Sequence, residues 1–478
     1  MLNKLQAIML LVIHSLLLGF LLSSISYAQP EIMWSNTFGG TGFDNAESVI
    51  ETDDGNIVLV NIGNLIKLDA LGNILWSIGL NGTGKSVVQS ADGGYVVTGI
   101  ASGSSGNTNI MILKVDSAGN IIWRKVSDLS DDEEGLDISQ NANGEFIVVG
   151  YHHRYHSYSS SVLIAGFSVN GGLLWKKKIA SGYVDRGEGI KTLSDGNIIV
   201  TGSFVSNSAD AGDLLLLKLG AEGDTLWIKT YGGGGWDTGK KVIETADGGL
   251  LAVGNINLFG SSKQDLWIIK TDSNGDSLWS KTIGGPSNES AYSVIESDIG
   301  GYIVVGDSGV GDHHAGGGDL WLLKIDENGD LLWSKTFGGG GSDGGRSIFS
   351  TEDGGFVVSG FKSDSGNFDA WILRFGPEQA IEVDEDHSSL PSEFSLSKNY
   401  PNPFNPTTTI EYSLPRSGEV SLIIYNLLGG EVTRLVDSFQ SAGVYQKEWD
   451  ALNIASGIYF YRFQAGDFVQ TRKMLLLK

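Results

Sequence analysis

Short apolar runs separated by turns or loops rich in glycine, aspartate and asparagine recur along most of the chain. Residues 291–337 show the repeat most clearly, where AYSVIES, GYIVVG, DLWLLKI and DLLWSKTF follow one another. Runs of about 4–8 residues bounded by such turn residues are typical of β-strands joined by hairpins. Each repeat is therefore predicted to contain four short strands.

A tryptophan marks the fourth strand of each repeat, and successive tryptophans lie 42, 47, 52, 52, 52 and 54 residues apart. They are Trp34, Trp76, Trp123, Trp175, Trp227, Trp279 and Trp333. A four-strand unit of this length favours a β-propeller blade, because blade repeats run about 40–50 residues, whereas β-helix repeats are shorter and sandwich units longer.

The second strand of each repeat is apolar almost without alternation, as in FIVVG at residues 146–150. Such a strand is buried on both faces, which the neighbouring blades of a propeller would provide. The fourth strand is likewise apolar at the tryptophan and at the residue before it, such as Leu75. We interpret the tryptophans as packing between blades rather than as ligand contacts.

The last repeat lacks its fourth strand. No tryptophan strand follows DAWILRF (369–375), whereas EIMWSNTF (31–38) stands alone before the first complete repeat. Pairing the two closes a ring and removes exposed sheet edges. The fold class is therefore all-β, with a seven-bladed β-propeller over residues 31–376 whose last blade is completed by the N-terminal strand. Phrases such as DGGYVVTG (92–99) resemble the Trp- and Gly-rich propeller repeats of exported bacterial proteins, including the delta-60 type.

Residues 1–28 have the pattern of a secretory signal peptide. Lys4 precedes an apolar stretch at residues 7–22, and Ser26-Tyr27-Ala28 fits a small-x-small site, so cleavage is predicted after Ala28. A membrane anchor is the alternative, but a span needs about 20 apolar residues. No later segment is predicted to span a membrane. With no cysteine in the chain, an exported protein would depend on its core alone.

Composition limits the partners. The formal net charge of −24 argues against nucleic acid and anionic lipid surfaces. No catalytic motif such as G-x-S-x-G or H-E-x-x-H is present, so we expect no cofactor and favour a protein that is not an enzyme.

His152, His153 and His156 lie in one loop and His313 and His314 in another. These two loops belong to distant blades, so we expect solvated histidines and no metal site.

One face of the propeller is predicted to vary. The turns between strands one and two and between strands three and four are short and uniform, whereas the other loops, including residues 151–161, 230–238 and 307–319, are irregular. Variable loops on a rigid scaffold usually carry binding. Tyr183 and Trp236 are candidate ligand platforms there.

An acidic residue precedes the first strand of six repeats, five positions before its first apolar residue. The six are Asp44, Asp131, Asp185, Asp237, Glu289 and Asp343. We expect them to surround the mouth of the central channel. They could bind a cation or a basic ligand, or each could cap its own glycine-rich loop by accepting backbone N–H bonds. Repetition in nearly every blade favours the cap.

The composition changes after the propeller. Residues 377–393 are acidic and aperiodic, which is typical of a linker, and residues 394–478 show short alternating strands that predict a small β-sandwich. This last segment resembles the type A C-terminal sorting domain of the type IX secretion system, which has a FlgD-like immunoglobulin fold. The residues that carry the resemblance are Pro401, Asn402, Pro403, Phe404, Asn405 and Pro406, then Ile424-Tyr425-Asn426, Leu428-Gly429, Trp449-Asp450, Gly457, Tyr459 and Lys473 to Lys478.

The resemblance implies that the secretion machinery is a partner and that the host belongs to the Bacteroidota or their relatives. The protein would pass through the periplasm to the cell surface or the medium. An accessory immunoglobulin-like domain without an export role is the alternative. For the propeller, a non-enzymatic module that binds an unknown glycan or protein is the leading hypothesis. The rival is an extracellular carbohydrate-active hydrolase or lyase that uses acidic residues at the channel mouth, such as Asp185, Asp237 and Asp343.

Overall fold

A computed structural model of the chain describes residues 25–40, 42–103, 106–127, 131–153, 159–205, 212–257, 263–285, 287–309, 318–364, 367–382, 393–416, 418–440, 443–452, 454–466 and 468–477. Their regular structure is β-strand throughout. They form two compact units, one of residues 27–380 and one that contains the residues from 381 onward.

The strands of the first unit and its edges follow in chain order. They are β1 Ile25–Ala28, β2 Ile32–Phe38, β3 Ala46–Glu51, β4 Ile57–Asn61, β5 Asn64–Leu68, β6 Ile74–Gly79, β7 Thr83–Gln89, β8 Tyr95–Ser102, β9 Thr108–Val115, β10 Ile121–Val126, β11 Asp132–Gln140, β12 Phe146–His153, β13 Ser160–Phe167, β14 Leu173–Ile179, β15 Arg186–Thr192, β16 Ile198–Phe204, β17 Asp213–Leu219, β18 Thr225–Tyr231, β19 Thr238–Glu244, β20 Leu250–Ile256, β21 Asp265–Thr271, β22 Ser277–Ile283, β23 Ser290–Glu296, β24 Tyr302–Ser308, β25 Asp319–Ile325, β26 Leu331–Phe337, β27 Gly344–Ser350, β28 Phe356–Asp364, β29 Asn367–Phe375 and β30 Gln379–Glu382.

These strands form seven four-stranded antiparallel sheets in the described part of the unit. Blades 1 to 6 are β3–β6, β7–β10, β11–β14, β15–β18, β19–β22 and β23–β26, and blade 7 has the order β2-β29-β28-β27. The predicted closure is confirmed, because β2 pairs antiparallel with β29 and Trp34 lies opposite Arg374. In addition, β1 and β30 pair as a two-stranded sheet. Cleavage after Ala28 would remove β1, and it stays a prediction.

The core of the propeller lies between blades. One hydrophobic cluster fills each junction between neighbours, including the junction where Val357 and Ile372 of blade 7 meet Val49 and Leu59 of blade 1. The second strands are covered on both faces, as the apolar runs predicted, and every residue of β4 is buried. No single blade could bury this surface alone, so packing of the two adjacent blades stabilises each sheet.

The tryptophans join each blade to the next, which confirms their predicted packing role. The indole Nε1 of Trp34 donates to the Ala70 carbonyl at 2.9 Å, and that of Trp279 donates to the Glu327 carbonyl at 3.1 Å. Both acceptors lie in the turn between the third and fourth strands of the following blade. Blade 7, which follows Trp333, has no such turn, because its third and fourth strands, β29 and β2, are not consecutive in the chain. The Nε1 of Trp333 has no hydrogen-bond partner among the described residues.

The residue before each tryptophan is exposed, although it is apolar. Leu75 is 52% exposed and Leu278 60% exposed. A β-bulge falls at this position in every fourth strand. The extra residue breaks the regular alternation, so the tryptophan turns toward the next blade while its neighbour faces solvent.

A glycine in the turn between the third and fourth strands lies under the tryptophan ring of the preceding blade. Gly223 has φ +85°, and a Cβ there would lie 2.9 Å from Trp175. Gly171, Gly275 and Gly329 meet Trp123, Trp227 and Trp279 in the same way. Only glycine satisfies both the left-handed backbone and the close approach.

Gly223→Ala should destabilise the propeller more than Gly196→Ala does. Gly196 has nearly the same φ, +82°, but a Cβ at that position would have no other atom within 4 Å. Both changes carry the left-handed strain of about 1–2 kcal/mol, and only Gly223→Ala adds overpacking of about 1–3 kcal/mol. Thermal melting of the two variants measures the difference. Equal melting temperatures would contradict the packing role of the ring.

Ion pairs fix the turn between the first and second strands. A buried lysine or arginine of the third strand meets a turn carboxylate in Lys67–Asp54, Lys114–Asp92, Lys218–Asp195, Lys270–Asp247 and Arg374–Asp353. Blade 6 has Ile299 where these turns have aspartate. There the fully buried Lys324 binds Glu378 at 3.0 Å, and Glu378 also accepts a hydrogen bond from Ser297. A residue of the predicted linker thus supplies the missing carboxylate.

Asp247→Asn should lower stability at neutral pH and lose this effect in acid. Hydrogen bonds from Thr245 and Lys270 lower the pKa of Asp247 to about 2. A depressed folded-state pKa stabilises above the unfolded value of about 3.9 and loses its effect as pH falls through the folded value. Melting curves of wild type and variant should differ at pH 7 and converge between pH 4 and pH 2. The control, Asp224→Asn, should run parallel to wild type, and a gap that persists at pH 2 would refute the linkage.

The second unit is a two-sheet sandwich, as predicted. Its strands are β31 Ser395–Leu396, β32 Thr407–Leu414, β33 Gly418–Asn426, β34 Glu431–Gln440, β35 Gly443–Asp450, β36 Gly457–Ala465 and β37 Phe468–Leu476. One sheet has the order β31-β32-β35 and the other β34-β33-β36-β37. Ile410 and Tyr412 of the first sheet pack against Leu422, Tyr461 and Phe463 of the second.

Candidate functional site

The innermost strand of every blade contains a β-bulge near its start. The bulge residues are Glu47, Lys85, Leu136, Glu188, Lys240, Tyr292 and Arg346. Glycine or alanine precedes each of them. The small residue is required, because a Cβ on Gly84 or Gly345 would lie 2.4 Å from a valine of the preceding blade. A bulge re-aims the following side chain, and here it does so once per blade.

The bulge residues surround a central cavity of about 210 Å³. The residues one position further along line it too, among them Ser48, Asp137, Lys241 and Ser293. Because each lining residue comes from the beginning of an innermost strand, the cavity lies on the propeller axis. Its lining residues lie at the ends of the inner strands that adjoin the irregular loops, the face where binding was expected.

Charged side chains of the cavity pair with one another. Lys85 meets Glu47 at 2.7 Å, and Lys240 meets Glu188 at 3.1 Å. Lys241 of blade 5 reaches Asp137 of blade 3 at 2.7 Å. Blade 4 has only Gly189 between them, with no side chain to obstruct the contact. The cavity therefore offers ammonium donors and carboxylate acceptors close together.

The predicted acidic residues form a different set and do not line this cavity. Asp185 and Asp237 have no exposed surface, Asp343 is 2% exposed and Glu289 6%. Asp237 Oδ2 accepts from Gly233 N at 2.9 Å and Oδ1 accepts from Asn257 N at 2.7 Å. Burial raises the pKa of Asp237 above its ordinary value, although these two bonds oppose the rise.

The other members make related contacts. Asp185 and Asp343 each bridge two loops of their blade, while Asp44 and Glu289 accept from Gly40 N and Gly285 N. Asp131 lies 3.0 Å from His152. For Asp44, Asp185, Asp237, Glu289 and Asp343, the geometry is that of the loop cap.

Tyr183 and Trp236 lie on the irregular face and are 39% and 45% exposed. Neither lines the cavity, and the Trp236 ring covers Gly212. Their ligand role stays a prediction. Residues 154–158 and 310–317 of the proposed binding loops, with His156, His313 and His314, lie outside the described residues. Within the described ranges, no group of three or more possible metal ligands is placed to hold an ion. No described helix could cross a bilayer.

In the C-terminal unit, the proline-rich segment pairs with the last strand. Phe404 N donates to Leu475 O and Leu477 N donates to Phe404 O, both at 3.0 Å. The Phe404 side chain is buried, with its ring centroid 5.4 Å from that of Trp449, which in turn contacts Tyr459. The motif residues thus form one structural assembly. Lys473 lies with Tyr400 and Arg472 along a groove of about 700 Å³.

The family model of the secretion system C-terminal sorting domain matches residues 398–477. The chain carries a type IX secretion sorting domain. The sorting domain indicates export to the cell surface or the extracellular space. A comparison with curated proteins gives no match.

Solved structures similar to the chain include a Bacteroides caccae protein of unknown function, at 16% identity and TM-score 0.37, covering 53% of this chain and 94% of that one. The Neurospora crassa Pan2 WD40 domain has 12% identity and TM-score 0.44, covering 73% and 98%. PorZ, a surface component of the type IX secretion system of Porphyromonas gingivalis, has 10% identity and TM-score 0.26, covering 95% and 87%.

The bulge residues were not predicted from the sequence. The available signal was the recurring small residue followed by a variable one, as in Ala46-Glu47, Gly239-Lys240 and Gly345-Arg346. The small and apolar positions repeat from blade to blade, whereas the bulge position changes between acid, base, leucine and tyrosine. Variation at one position of an otherwise regular repeat marks a surface that the fold does not constrain.

Proposed function

We propose that this exported propeller is a non-enzymatic module that binds a glycan or a protein at the mouth of its channel. The observation that carries the proposal is the cavity on the axis, to which every blade contributes a side chain from the same bulge position. The lining is polar and the scaffold behind it is tightly packed. Polar groups that converge in a rigid concavity can fix the orientation of a ligand and give specificity.

The rival hydrolase or lyase receives less support. A general acid must come within about 2.6–3.2 Å of the substrate oxygen. Asp185, Asp237 and Asp343 are at most 2% exposed, and their oxygens accept backbone N–H bonds. These three carboxylates are therefore buried and already hydrogen-bonded, which favours a structural role for them.

The route of export belongs to the same proposal. Residues 1–28 would be a cleaved signal peptide that directs the chain to the periplasm. The propeller, residues 31–376, would then be followed by a linker at 377–393 and by an immunoglobulin-like sorting domain at 394–478 that contacts the secretion machinery. The host would belong to the Bacteroidota or their relatives. The match of the sorting domain supports this order.

Leu136→Trp should abolish ligand binding while the fold persists. Leu136 lines the cavity at the bulge position of blade 3 and makes no ion pair, so a larger side chain would fill the site without breaking a charged contact. The full-length protein would first be applied to a glycan array and to surface proteins of the host. Any ligand found would then be titrated with this variant and with Leu226→Trp, a control on the outer strand where leucine is 53% exposed. Binding unchanged in Leu136→Trp, or no ligand in either screen, would contradict the proposal.

Removal of residues 394–478 should leave a folded propeller that stays in the periplasm. The first unit closes through β2 and β29, and none of the described blade sheets includes a strand of the sorting domain. Fractionation of a host with the secretion machinery measures the location of the truncated and full-length proteins. A reporter with a signal peptide, with and without residues 394–478, is the matched comparison. Truncated protein outside the cell at the full-length level would refute the sorting role.

A further inference from the structure

One edge of the Arg346 guanidinium group is held by hydrogen bonds. Its Nη1 donates to both carboxylate oxygens of Asp307, at 3.1 and 2.9 Å, and to the Gly345 carbonyl at 2.9 Å. Its Cζ lies 4.0 Å from the ring centre of Tyr292 and 4.8 Å from that of Phe361. Two aromatic rings and a carboxylate therefore hold the guanidinium plane in place before any ligand arrives.

The other edge of Arg346 is available. Nε and Nη2 make no hydrogen bond within the described part of the chain, and the side chain lines the cavity. Two parallel N–H donors in a fixed plane match the two oxygens of a carboxylate. A pre-oriented guanidinium loses little conformational freedom on binding, so this edge is a ready carboxylate site.

The remaining lining suits hydroxyl groups. Ser48, Ser86, Ser293 and Ser347 also line the cavity. The Lys85–Glu47 and Lys240–Glu188 pairs add donors and acceptors, since each ammonium has three N–H groups and each carboxylate has further lone pairs. At about 210 Å³ the cavity is smaller than pockets for drug-sized ligands, about 300–1,000 Å³. It admits one small polar ring rather than a length of polymer.

We propose that the cavity binds the terminal acidic sugar of a glycan, a hexuronic acid unit. Its carboxylate lies on the Nε–Nη2 edge of Arg346, and its hydroxyls contact the Lys85–Glu47 and Lys240–Glu188 pairs. The inference rests on the proposed binding function and gives it a ligand class. A peptide C-terminus shares the carboxylate but not the hydroxyls, so the polar lining favours the sugar.

Calorimetric titration of the full-length protein tests the proposal with four probes. They are a disaccharide ending in glucuronic acid, the same disaccharide ending in glucose, a short peptide with a free C-terminus, and inorganic phosphate. The glucuronic acid probe should bind at least about tenfold more tightly than the others. Arg346→Lys keeps the charge and removes the fork, and should weaken that binding about tenfold.

Lys240→Gln should weaken binding of the glucuronic acid probe by a smaller factor, about threefold. Its control is Lys281→Gln on an outer strand, where the lysine has similar exposure, 34% against 25%, and also pairs with a carboxylate. If Arg346→Lys has a lower melting temperature because Asp307 loses its partner, the affinities of Lys240→Gln and Lys85→Gln test the proposal instead.

The outcomes separate the two proposals. Equal binding of the acidic and neutral disaccharides would overturn the ligand class and leave glycan binding intact. Binding of the peptide or of phosphate alone would overturn the sugar and leave a site for anions. Unchanged affinity in both Arg346→Lys and Lys240→Gln would place the ligand elsewhere. No binding of any probe, together with no ligand on the glycan array or among the host surface proteins, would overturn both proposals.

Discussion

The propeller depends on the burial of both faces of every sheet. The second and third strands of each blade are apolar on both sides, and each junction between blades contains its own hydrophobic cluster. A linear row of such sheets would leave two apolar faces in water. The ring removes both, and the pairing of β2 with β29 joins its first and last elements. Stability is therefore shared by all blades, since the loss of one junction exposes two of them.

Close packing also dictates which positions can vary. Glycines lie where a blade touches the tryptophan or the valine of its neighbour, and buried lysines meet turn carboxylates. The bulge residue of each innermost strand is less restricted, because it lines the cavity on the axis and lies outside the hydrophobic clusters between blades. The same constraint that makes the repeats uniform leaves one position per blade free to build a site.

The sequence predicted the strands of the blades, the number of blades and the closure, because burial on both faces leaves unbroken apolar runs and one tryptophan marks each blade. It did not predict the pairing of β1 with β30. It did not predict the bulges, because an inserted residue shifts the alternation without changing composition. This is why Leu75 looked like a core residue and is exposed, and why Lys240 and Arg346 were overlooked. The recurrence of the acidic residues did favour their structural role, since Asp237 and Asp343 accept backbone N–H bonds in their own loops.

Two positions in blade 6 depart from the repeat, and each departure has a structural cause. Ile299 interrupts the turn pattern of blade 6, and Glu378, 79 positions later, compensates by binding Lys324. A buried lysine without a carboxylate would be costly, so the chain that leaves blade 7 is held against blade 6 beyond its last strand. Trp333 shows the converse, because the closure deprives its indole of the turn carbonyl that Trp34 and Trp279 bind. Both irregularities lie in blade 6, next to the blade in which β2 closes the ring.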